Sequence, residues 1–240
     1  MFKKLISFVV PLVLGLAAIG SAQANEAEIK KAIEARLGAK VESVTKSGYL
    51  GLYEVYLDGQ IIYTDEKVTA FVAGNLIDTK TMKNVTDERM RKLTAIRWGD
   101  LPFERAIKQV RGDGKRVLAT FEDPNCGYCK RLAKEMQKLD NVTIYTFLLP
   151  ILSEDSLKKS KQIWCSADRA KTWNDWMQDG KAPSGKEDCD TSAVVKNQEF
   201  AQRLRISGTP TLFFGNGERV PGAMPLSQIE QKMNLVAQGK

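Results

Sequence analysis

A pair of cysteines separated by two residues constrains the fold of this chain more than any other feature. Cys126 and Cys129 follow the apolar segment Val117 to Phe121, which predicts a buried strand. An Asp-Pro-Asn turn comes next, and a helix is predicted over about 126–138. A second apolar strand is predicted over about 142–149. The sequence therefore predicts a strand–helix–strand unit with both cysteines at its first strand–helix junction.

The position of these cysteines predicts redox chemistry. Cys126 is expected at the helix N-terminus, after Asn125 as N-cap, where unpaired N–H groups and the helix dipole favour a thiolate. Lys130 lies one turn further on and adds positive charge. Cys129 is close enough to bridge Cys126, so one thiol can attack a disulfide and the other can resolve the mixed disulfide. This arrangement is typical of thioredoxin-like proteins, and a structural disulfide or half of a zinc site are the alternatives.

The counts of cysteine and histidine exclude several kinds of site. The chain contains no histidine, which excludes Ser-His-Asp and Cys-His catalysis and every metal site that needs a histidine. Besides the close pair there are two more cysteines, Cys165 and Cys189, which are 24 positions apart. A zinc site made of four cysteines would normally need a second close pair, so no metal is expected. In an oxidising compartment four cysteines suggest two disulfides, and three pairings are possible.

The start of the chain predicts export. Two lysines, an apolar run from Leu5 to Gly20 and an Ala-Gln-Ala sequence at 22–24 have the order of a secretory signal peptide over 1–24. The mature protein would begin near Asn25. An uncleaved membrane anchor is the alternative, but the apolar run is short and contains Pro11. The net charge of +7 is well mixed along the chain, so no nucleic-acid partner is expected.

Residues 25–80 predict a small α+β domain without cysteine. A helix over Glu26 to Leu37 has apolar residues at helical spacing, and short strands follow it, two of them joined by the hairpin turn Asp58-Gly59. A domain of this size has a small core and would be marginal alone. Oligomerisation through a sheet edge is one way to stabilise it.

The rest of the chain divides into a linker and a larger domain. Residues 81–111 predict a largely helical linker, with helices over about 86–96 and 103–110. Residues 112–240 form the domain that carries the cysteine pair, with a mostly helical segment over about 153–204. Its tryptophans are expected to pack in the core.

The sequence Gly208-Thr209-Pro210 leads into a strand predicted over 211–214 near the chain end. A cis Thr209–Pro210 bond would present free backbone groups beside the cysteines, and the sequence leaves cis and trans open. A final helix is predicted over about 225–237.

Four features in this order give the chain a resemblance to the DsbC/DsbG family of bacterial periplasmic disulfide isomerases. They are the Cys126-Gly127-Tyr128-Cys129 motif, the Gly208-Thr209-Pro210 loop, the second cysteine pair and the strand-rich N-terminal domain. The resemblance covers nearly all of residues 25–240.

The resemblance implies an α+β N-terminal cystatin-like dimerisation domain, a helical linker, and a C-terminal α/β thioredoxin-like domain with a helical insertion. It further implies a V-shaped periplasmic homodimer that rearranges wrong disulfides in misfolded exported proteins and also has chaperone activity. A membrane-bound thiol reductase of the DsbD type would keep it reduced, and no cofactor is implied. A monomeric thiol oxidase, a dedicated disulfide reductase and a polypeptide-binding chaperone are the alternatives.

Residue roles carried over from the family follow the matching positions. Cys126 would be the nucleophile and Cys129 the resolving thiol, while Cys165 and Cys189 would form a structural disulfide. The substrate-binding positions would be Gly127, Tyr128, Thr209 and Pro210.

The sequence departs from thioredoxins beside the cysteine pair. Thioredoxins carry a buried acid six residues before the first active-site cysteine, where this chain has Thr120. Glu122 and Asp123 lie nearby, and the sequence assigns neither of them a role in proton transfer. Lys130 stands where some relatives have a histidine.

Overall fold

A computed structural model describes residues 18–239, with side chains from Asn25 onwards. The charged start and most of the apolar run of the predicted signal peptide lie outside the described residues. The chain divides between Thr86 and Asp87 into two compact units. Within residues 18–239, no helix combines the length and the apolar character needed to cross a membrane.

The first unit is one helix on an antiparallel sheet. The helix is α1 (Ala18–Leu37), and the sheet has the order β1-β2-β3-β4, with a separate two-strand pair β5 and β6 after it. The strands are β1 (Val41–Lys46), β2 (Tyr53–Leu57), β3 (Gln60–Thr64), β4 (Phe71–Ala73), β5 (Ile77–Asp78) and β6 (Lys83–Asn84). The predicted hairpin joins β2 to β3. Asp58 and Gly59 both have positive φ, at 47° and 79°, which two-residue turns of this kind require.

The core of the first unit forms where α1 packs on the sheet. Ile29 and Ile33 are buried in a cluster that includes Val41 and Val55, and each isoleucine contributes roughly 1.5–3 kcal/mol by burial. Leu37, the third residue of the predicted apolar stripe, is instead 45% exposed. In the described residues the helix already includes Ala18 to Asn25, ahead of the predicted start at Glu26.

The segment between the first sheet and the cysteine-bearing strand differs from the prediction. Helix α2 spans Val85–Leu93, and short 3-10 turns follow at Trp98–Asp100 and Phe103–Arg105. The predicted helix over 103–110 is wrong, since Ile107–Arg111 form strand β7, which pairs with a neighbouring strand over its whole length. The spacing of apolar residues was misleading because Ile107 is buried while Val110 is 56% exposed. Strand pairing with a distant segment overrode the local helical pattern.

The second unit contains a five-stranded sheet with the order β11-β10-β8-β9-β7. Its strands after β7 are β8 (Arg116–Glu122), β9 (Val142–Leu148), β10 (Thr211–Phe214) and β11 (Arg219–Pro221). Strands β8 and β9 are parallel and are connected through helix α3 (Gly127–Met136), which confirms the predicted strand–helix–strand unit. Strand β10 runs antiparallel to β8, directly beside it.

Helices cover the sheet of the second unit. A helical insertion between β9 and β10 comprises α4 (Glu154–Trp164), α5 (Arg169–Asp179) and α6 (Ser192–Arg203), and the chain ends in α7 (Leu226–Ala237). Leu132 and Met136 of α3 are buried with Leu118 of β8 and Ile229 of α7. A separate core cluster joins the insertion to the cysteines, because Trp173 and Met177 are buried with Cys129. The active-site helix is therefore held between the sheet and the insertion.

Candidate active site

Cys126 is itself the N-cap of helix α3. Its backbone is extended (φ −72°, ψ 119°), and its Sγ accepts a hydrogen bond from the backbone N–H of Cys129 at 3.3 Å. Asn125 was predicted to be the cap, and that prediction is wrong. Its side-chain amide donates to Asp155 Oδ2 at 2.7 Å and to Ser156 Oγ at 3.2 Å, so tertiary contacts with α4 use the group expected to cap α3. The Cys126 sulfur therefore accepts the hydrogen bond from the Cys129 N–H that the side-chain oxygen of an ordinary N-cap residue would accept.

Asp123 fixes the turn that carries the cysteines. Its Oδ1 accepts from the backbone N–H of Asn125 at 2.7 Å, and its Oδ2 accepts from the N–H groups of Ile151 and Leu152 at 2.9 and 3.0 Å. Its carbonyl oxygen accepts from the N–H of Cys126 at 3.1 Å. The carboxylate ties the end of β8 to the chain after β9, so its role is to hold the two segments together.

The loop before β10 lies against the first cysteine. Cys126 Sγ donates to the carbonyl oxygen of Thr209 at 3.3 Å, across 83 positions of sequence. The Thr209–Pro210 peptide bond is cis, the form that the sequence left open beside trans. Pro210 is buried and its carbonyl accepts from the N–H of Gly222 at 2.8 Å, while Gly208 is exposed. The structure thus brings together the cysteine motif and the proline loop.

The four motif residues differ sharply in exposure. Cys126 is 5% exposed and Cys129 is fully buried, and both are free thiols. Gly127 is exposed and Tyr128 is 60% exposed, with the Arg131 guanidinium 4.4 Å from the centre of its ring. A disulfide that approaches the helix end therefore meets Cys126 before Cys129, and meets Gly127 and Tyr128 beside it.

Electrostatics disfavour ionisation of the buried Cys129 thiol. Burial raises the pKa of the Cys129 thiol far above its usual range, and the charges of Glu122 and Cys126 raise it further. Cys129 is therefore protonated until something removes its proton. A buried, protonated thiol is a poor attacking group and can act only on a sulfur that is already beside it.

Lys130 makes a contact that the sequence did not suggest. Its Nζ lies 3.8 Å from the ring centre of Trp176 on α5, and Lys159 Nζ lies 4.9 Å from the same ring. Burial lowers the pKa of Lys130, and the charges of Lys159 and Lys134 lower it further. The ring attracts both ammonium groups through its quadrupole.

Trp176 also contacts the active-site turn directly. Its Nε1–H donates to the carbonyl oxygen of Pro124 at 2.6 Å, although the two residues are 52 positions apart. The sequence predicts only core packing for this tryptophan. No local pattern could have found the contact, because it depends on how the insertion folds back over α3.

Cys165 and Cys189 are joined by a disulfide with an S–S distance of 1.95 Å and a Cα–Cα distance of 5.5 Å. Cys165 follows the end of α4, and Cys189 lies in the loop before α6. The bond closes the insertion on itself. In the described part of the chain, no group of three or more His, Cys, Asp or Glu side chains could hold a metal ion.

Comparison with known proteins agrees with this architecture. Residues 20–87 match the profile of the disulfide bond isomerase protein N-terminal domain, and residues 103–237 match that of the thioredoxin-like domain. The Bordetella parapertussis protein named "Probable thiol:disulfide interchange protein DsbC" is 47% identical over 196 residues, covering 82% of this chain and 69% of that protein. Thiol:disulfide interchange protein DsbC of Escherichia coli is 27% identical over 220 residues, covering 88% and 89%.

Solved structures add a likeness in three dimensions. A disulfide interchange protein from Neisseria gonorrhoeae is 42% identical, with a TM-score of 0.53, covering 56% of this chain and 96% of that one. The thiol-disulfide exchange protein alpha-DsbA2 from Wolbachia pipientis shares the fold alone, at 18% identity and a TM-score of 0.50 over 64% of this chain and 100% of that one. Two domain profiles matched in order, together with relatives that cover most of the chain, lead to one conclusion: this protein belongs to the DsbC family of thiol:disulfide interchange proteins.

Proposed function

We propose that the protein is a protein-disulfide isomerase that rearranges incorrect disulfides in exported proteins. The observation that carries the proposal is the position of Cys126. Its sulfur receives an N–H at the start of α3, contacts the Thr209 carbonyl, and lies beside the exposed Gly127, while Cys129 is buried behind it. An attacking thiol needs to be reachable, and a resolving thiol needs only to reach its partner.

The reaction begins when the Cys126 thiolate attacks one sulfur of a wrong client disulfide. An S–S bond forms between Cys126 and that sulfur, and the old bond breaks with its electron pair on the other client sulfur, which leaves as a thiolate. The freed thiolate can attack another disulfide of the client, and a last attack on the mixed disulfide releases Cys126. If rearrangement stalls, Cys129 attacks Cys126 and releases a reduced client.

Four positions around Cys126 are suited to hold an extended client segment. The Thr209 carbonyl lies 3.3 Å from the sulfur and Pro210 follows it, while Gly127 and Tyr128, the two residues after Cys126, are exposed. Ile151 and Leu152, which Asp123 holds nearby through their backbone, are 42% and 57% exposed. Apolar exposure beside a thiol favours binding of unfolded polypeptide, which supports a chaperone activity in addition.

The first unit supports a proposal for the assembly. Strand β4 is the last strand of its sheet in the described chain, and Phe71 and Val72 are 39% and 54% exposed on it. An exposed edge strand pairs readily with a second copy, and we propose a homodimer built through this unit. The signal peptide over residues 1–24 would place the dimer in the periplasm. There a membrane-bound thiol reductase of the DsbD type would keep Cys126 and Cys129 reduced.

Trapping of the mixed disulfide tests the roles of the two thiols. In the full chain, Cys129→Ser leaves the attacking thiol without its resolving partner, so covalent complexes with a disulfide-containing client should accumulate and disappear on reduction. Cys126→Ser is the matched control and should form none. Equal trapping by both variants, or trapping by Cys126→Ser alone, would contradict the assignment.

A further inference from the structure

Glu122 is a buried carboxylic acid beside the cysteine pair. It is the last residue of β8, and its side chain is fully buried. The Thr120 hydroxyl donates to its Oε1 at 2.7 Å, and the same hydroxyl lies 3.3 Å from Thr146 Oγ1 on β9. Its Oε2 is buried and has no hydrogen-bond partner. An unpartnered carboxyl oxygen in the interior is costly, so a polar group of this kind calls for an explanation other than hydrogen bonding within the fold.

The neighbouring acid, Asp123, has the hydrogen bonds of a carboxylate with a structural role. Both oxygens of Asp123 accept backbone hydrogen bonds, from Asn125 on one side and from Ile151 and Leu152 on the other. Asp123 is therefore fully occupied in holding the turn. Glu122 has one oxygen that holds nothing and could take up a proton.

Glu122 directly precedes the turn that carries the two thiols. The carbonyl oxygen of Asp123, the next residue, accepts from the N–H of Cys126 at 3.1 Å, and the Cys126 sulfur accepts from the N–H of Cys129 at 3.3 Å. The charge of Glu122 raises the pKa of the Cys129 thiol, in addition to the larger effect of burial. Two further titratable side chains lie in the same turn, the Asp123 carboxylate and the Cys126 thiol at the N-cap of α3. The adjacent strand β9 contributes the neutral hydroxyl of Thr146.

We propose that Glu122 accepts the proton of Cys129 when Cys129 resolves a mixed disulfide at Cys126. This inference rests on the function proposed above and assigns the acid that completes it. Cys129 is buried and protonated, so it cannot attack until its proton has somewhere to go. The buried oxygen of Glu122 that has no hydrogen-bond partner is available to accept it.

Protons and electrons balance in this step. The S–H proton of Cys129 moves to the Glu122 carboxylate, and the sulfur's electron pair forms the S–S bond to Cys126. The bond between Cys126 and the client sulfur breaks, and its electron pair leaves on the client as a thiolate, which water protonates. Glu122 then returns its proton to solvent, so the net change is one enzyme disulfide formed and one client disulfide reduced.

Burial gives the acid a suitable proton affinity for this role. Desolvation raises the pKa of Glu122 to about 7, and the hydrogen bond from Thr120 opposes this only in part. A general base works best when its pKa lies near the working pH. The carboxylate is present above about pH 7 and protonated below it, so resolution by Cys129 should speed up as the pH rises through neutrality.

The test separates attack from resolution in the reduced full-length protein. A small aromatic disulfide that releases a coloured thiolate is mixed with the protein in a stopped-flow instrument over a range of pH. Attack by Cys126 releases the first equivalent, and resolution by Cys129 releases the second. Glu122→Gln keeps the side-chain volume and the acceptor for Thr120 but cannot take a proton.

We expect Glu122→Gln to leave the first phase unchanged and to slow the second phase on the order of 100-fold above neutral pH. Its second phase should also lose the rise near pH 7, whereas Glu122→Asp should keep the rise at a reduced rate. Glu135→Gln, an exposed residue of α3, is the matched control and should behave like the unsubstituted protein.

Several results would overturn the inference. A second phase in Glu122→Gln with an unchanged rate and pH profile excludes proton acceptance by Glu122. If that variant does not fold, a flat second phase in the unsubstituted protein across neutral pH excludes it equally. A first phase that survives Cys126→Ser would instead overturn the proposed function itself.

Discussion

The buried acid makes a stability prediction that is independent of catalysis. Burial raises the pKa of Glu122 from its ordinary value of 4.5 to about 7 in the folded protein. Between these values the folded state binds a proton that the unfolded state has lost. The free energy of unfolding therefore falls by about 1.4 kcal/mol for each pH unit as the pH rises through this window. Over the whole window the loss is about 3 kcal/mol, complete just above the folded pKa.

Glu122→Gln should remove this dependence. The variant should lose about 3 kcal/mol less than the unsubstituted protein when the pH is raised from about 4.5 to about 8, because the amide has no proton to lose. All four tryptophans lie in the second unit, so denaturant unfolding followed by tryptophan fluorescence reports on the unit that contains Glu122. The comparison is a difference between two proteins, so the other titrating groups cancel.

The exposed Glu135→Gln again serves as the control, with a pH dependence like that of the unsubstituted protein. The reasoning is refuted if Glu122→Gln shows the same loss of stability with pH as the unsubstituted protein. A variant that is less stable by the same amount at every pH would show that the carboxyl group is needed for packing and not for its proton.

Three further predictions concern the disulfide, the insertion and the edge strand. Replacing Cys165 and Cys189 together with alanine should lower the free energy of unfolding by about 3 kcal/mol while Cys126 keeps its rate with a small disulfide, and an equal loss of that rate would contradict a structural role. Trp176→Phe removes the hydrogen bond to the Pro124 carbonyl and should cost about 1–3 kcal/mol in denaturant unfolding; no change would mean that water replaces the indole N–H there. Ala73→Pro removes an outward-facing N–H donor from the exposed edge strand β4, since Val72 is the residue paired through hydrogen bonds with Tyr63; it should shift the sedimentation of the full chain from dimer towards monomer, whereas an unchanged dimer would place the interface elsewhere.

Local features of the sequence were sufficient to predict where the cysteine pair lies in the fold. The apolar strand, the turn and the amphipathic helix are contiguous, so the cysteine pair could be placed at the strand–helix junction and the structure has it there. The α+β first unit and the thioredoxin-like second unit were predicted correctly for the same reason. The roles of Gly127, Tyr128, Thr209 and Pro210 in client binding stay predictions.

Errors arose where distant segments decide the outcome. Asn125 has the chemistry of an N-cap, but contacts with α4 use its side chain and the Cys126 sulfur takes the capping position. Phe103 to Val110 has helical spacing, but pairing with β9 makes its second half a strand. A single sequence does not contain the register of that pairing.

The sequence did not assign roles to Glu122 and Trp176, and the reason is again that distant segments decide them. Glu122 and Asp123 are adjacent acids, and the sequence does not distinguish them. Their hydrogen bonds do: Asp123 accepts from three backbone N–H groups, whereas Glu122 Oε2 has no partner. Trp176 reaches the active-site turn because α5 folds back against α3. Burial and hydrogen-bond partners are tertiary properties, so neither role could be read from residue order.

The central claim is that Cys126 rearranges wrong disulfides, and one refolding experiment tests it most directly. A client enzyme with scrambled disulfides is incubated with the pre-reduced mature protein and no other thiol, and the return of client activity is followed. The account predicts recovery that Cys126→Ser abolishes. No recovery, together with rapid oxidation or reduction of simple dithiol substrates, would contradict the isomerase assignment and would point to an oxidase or a reductase.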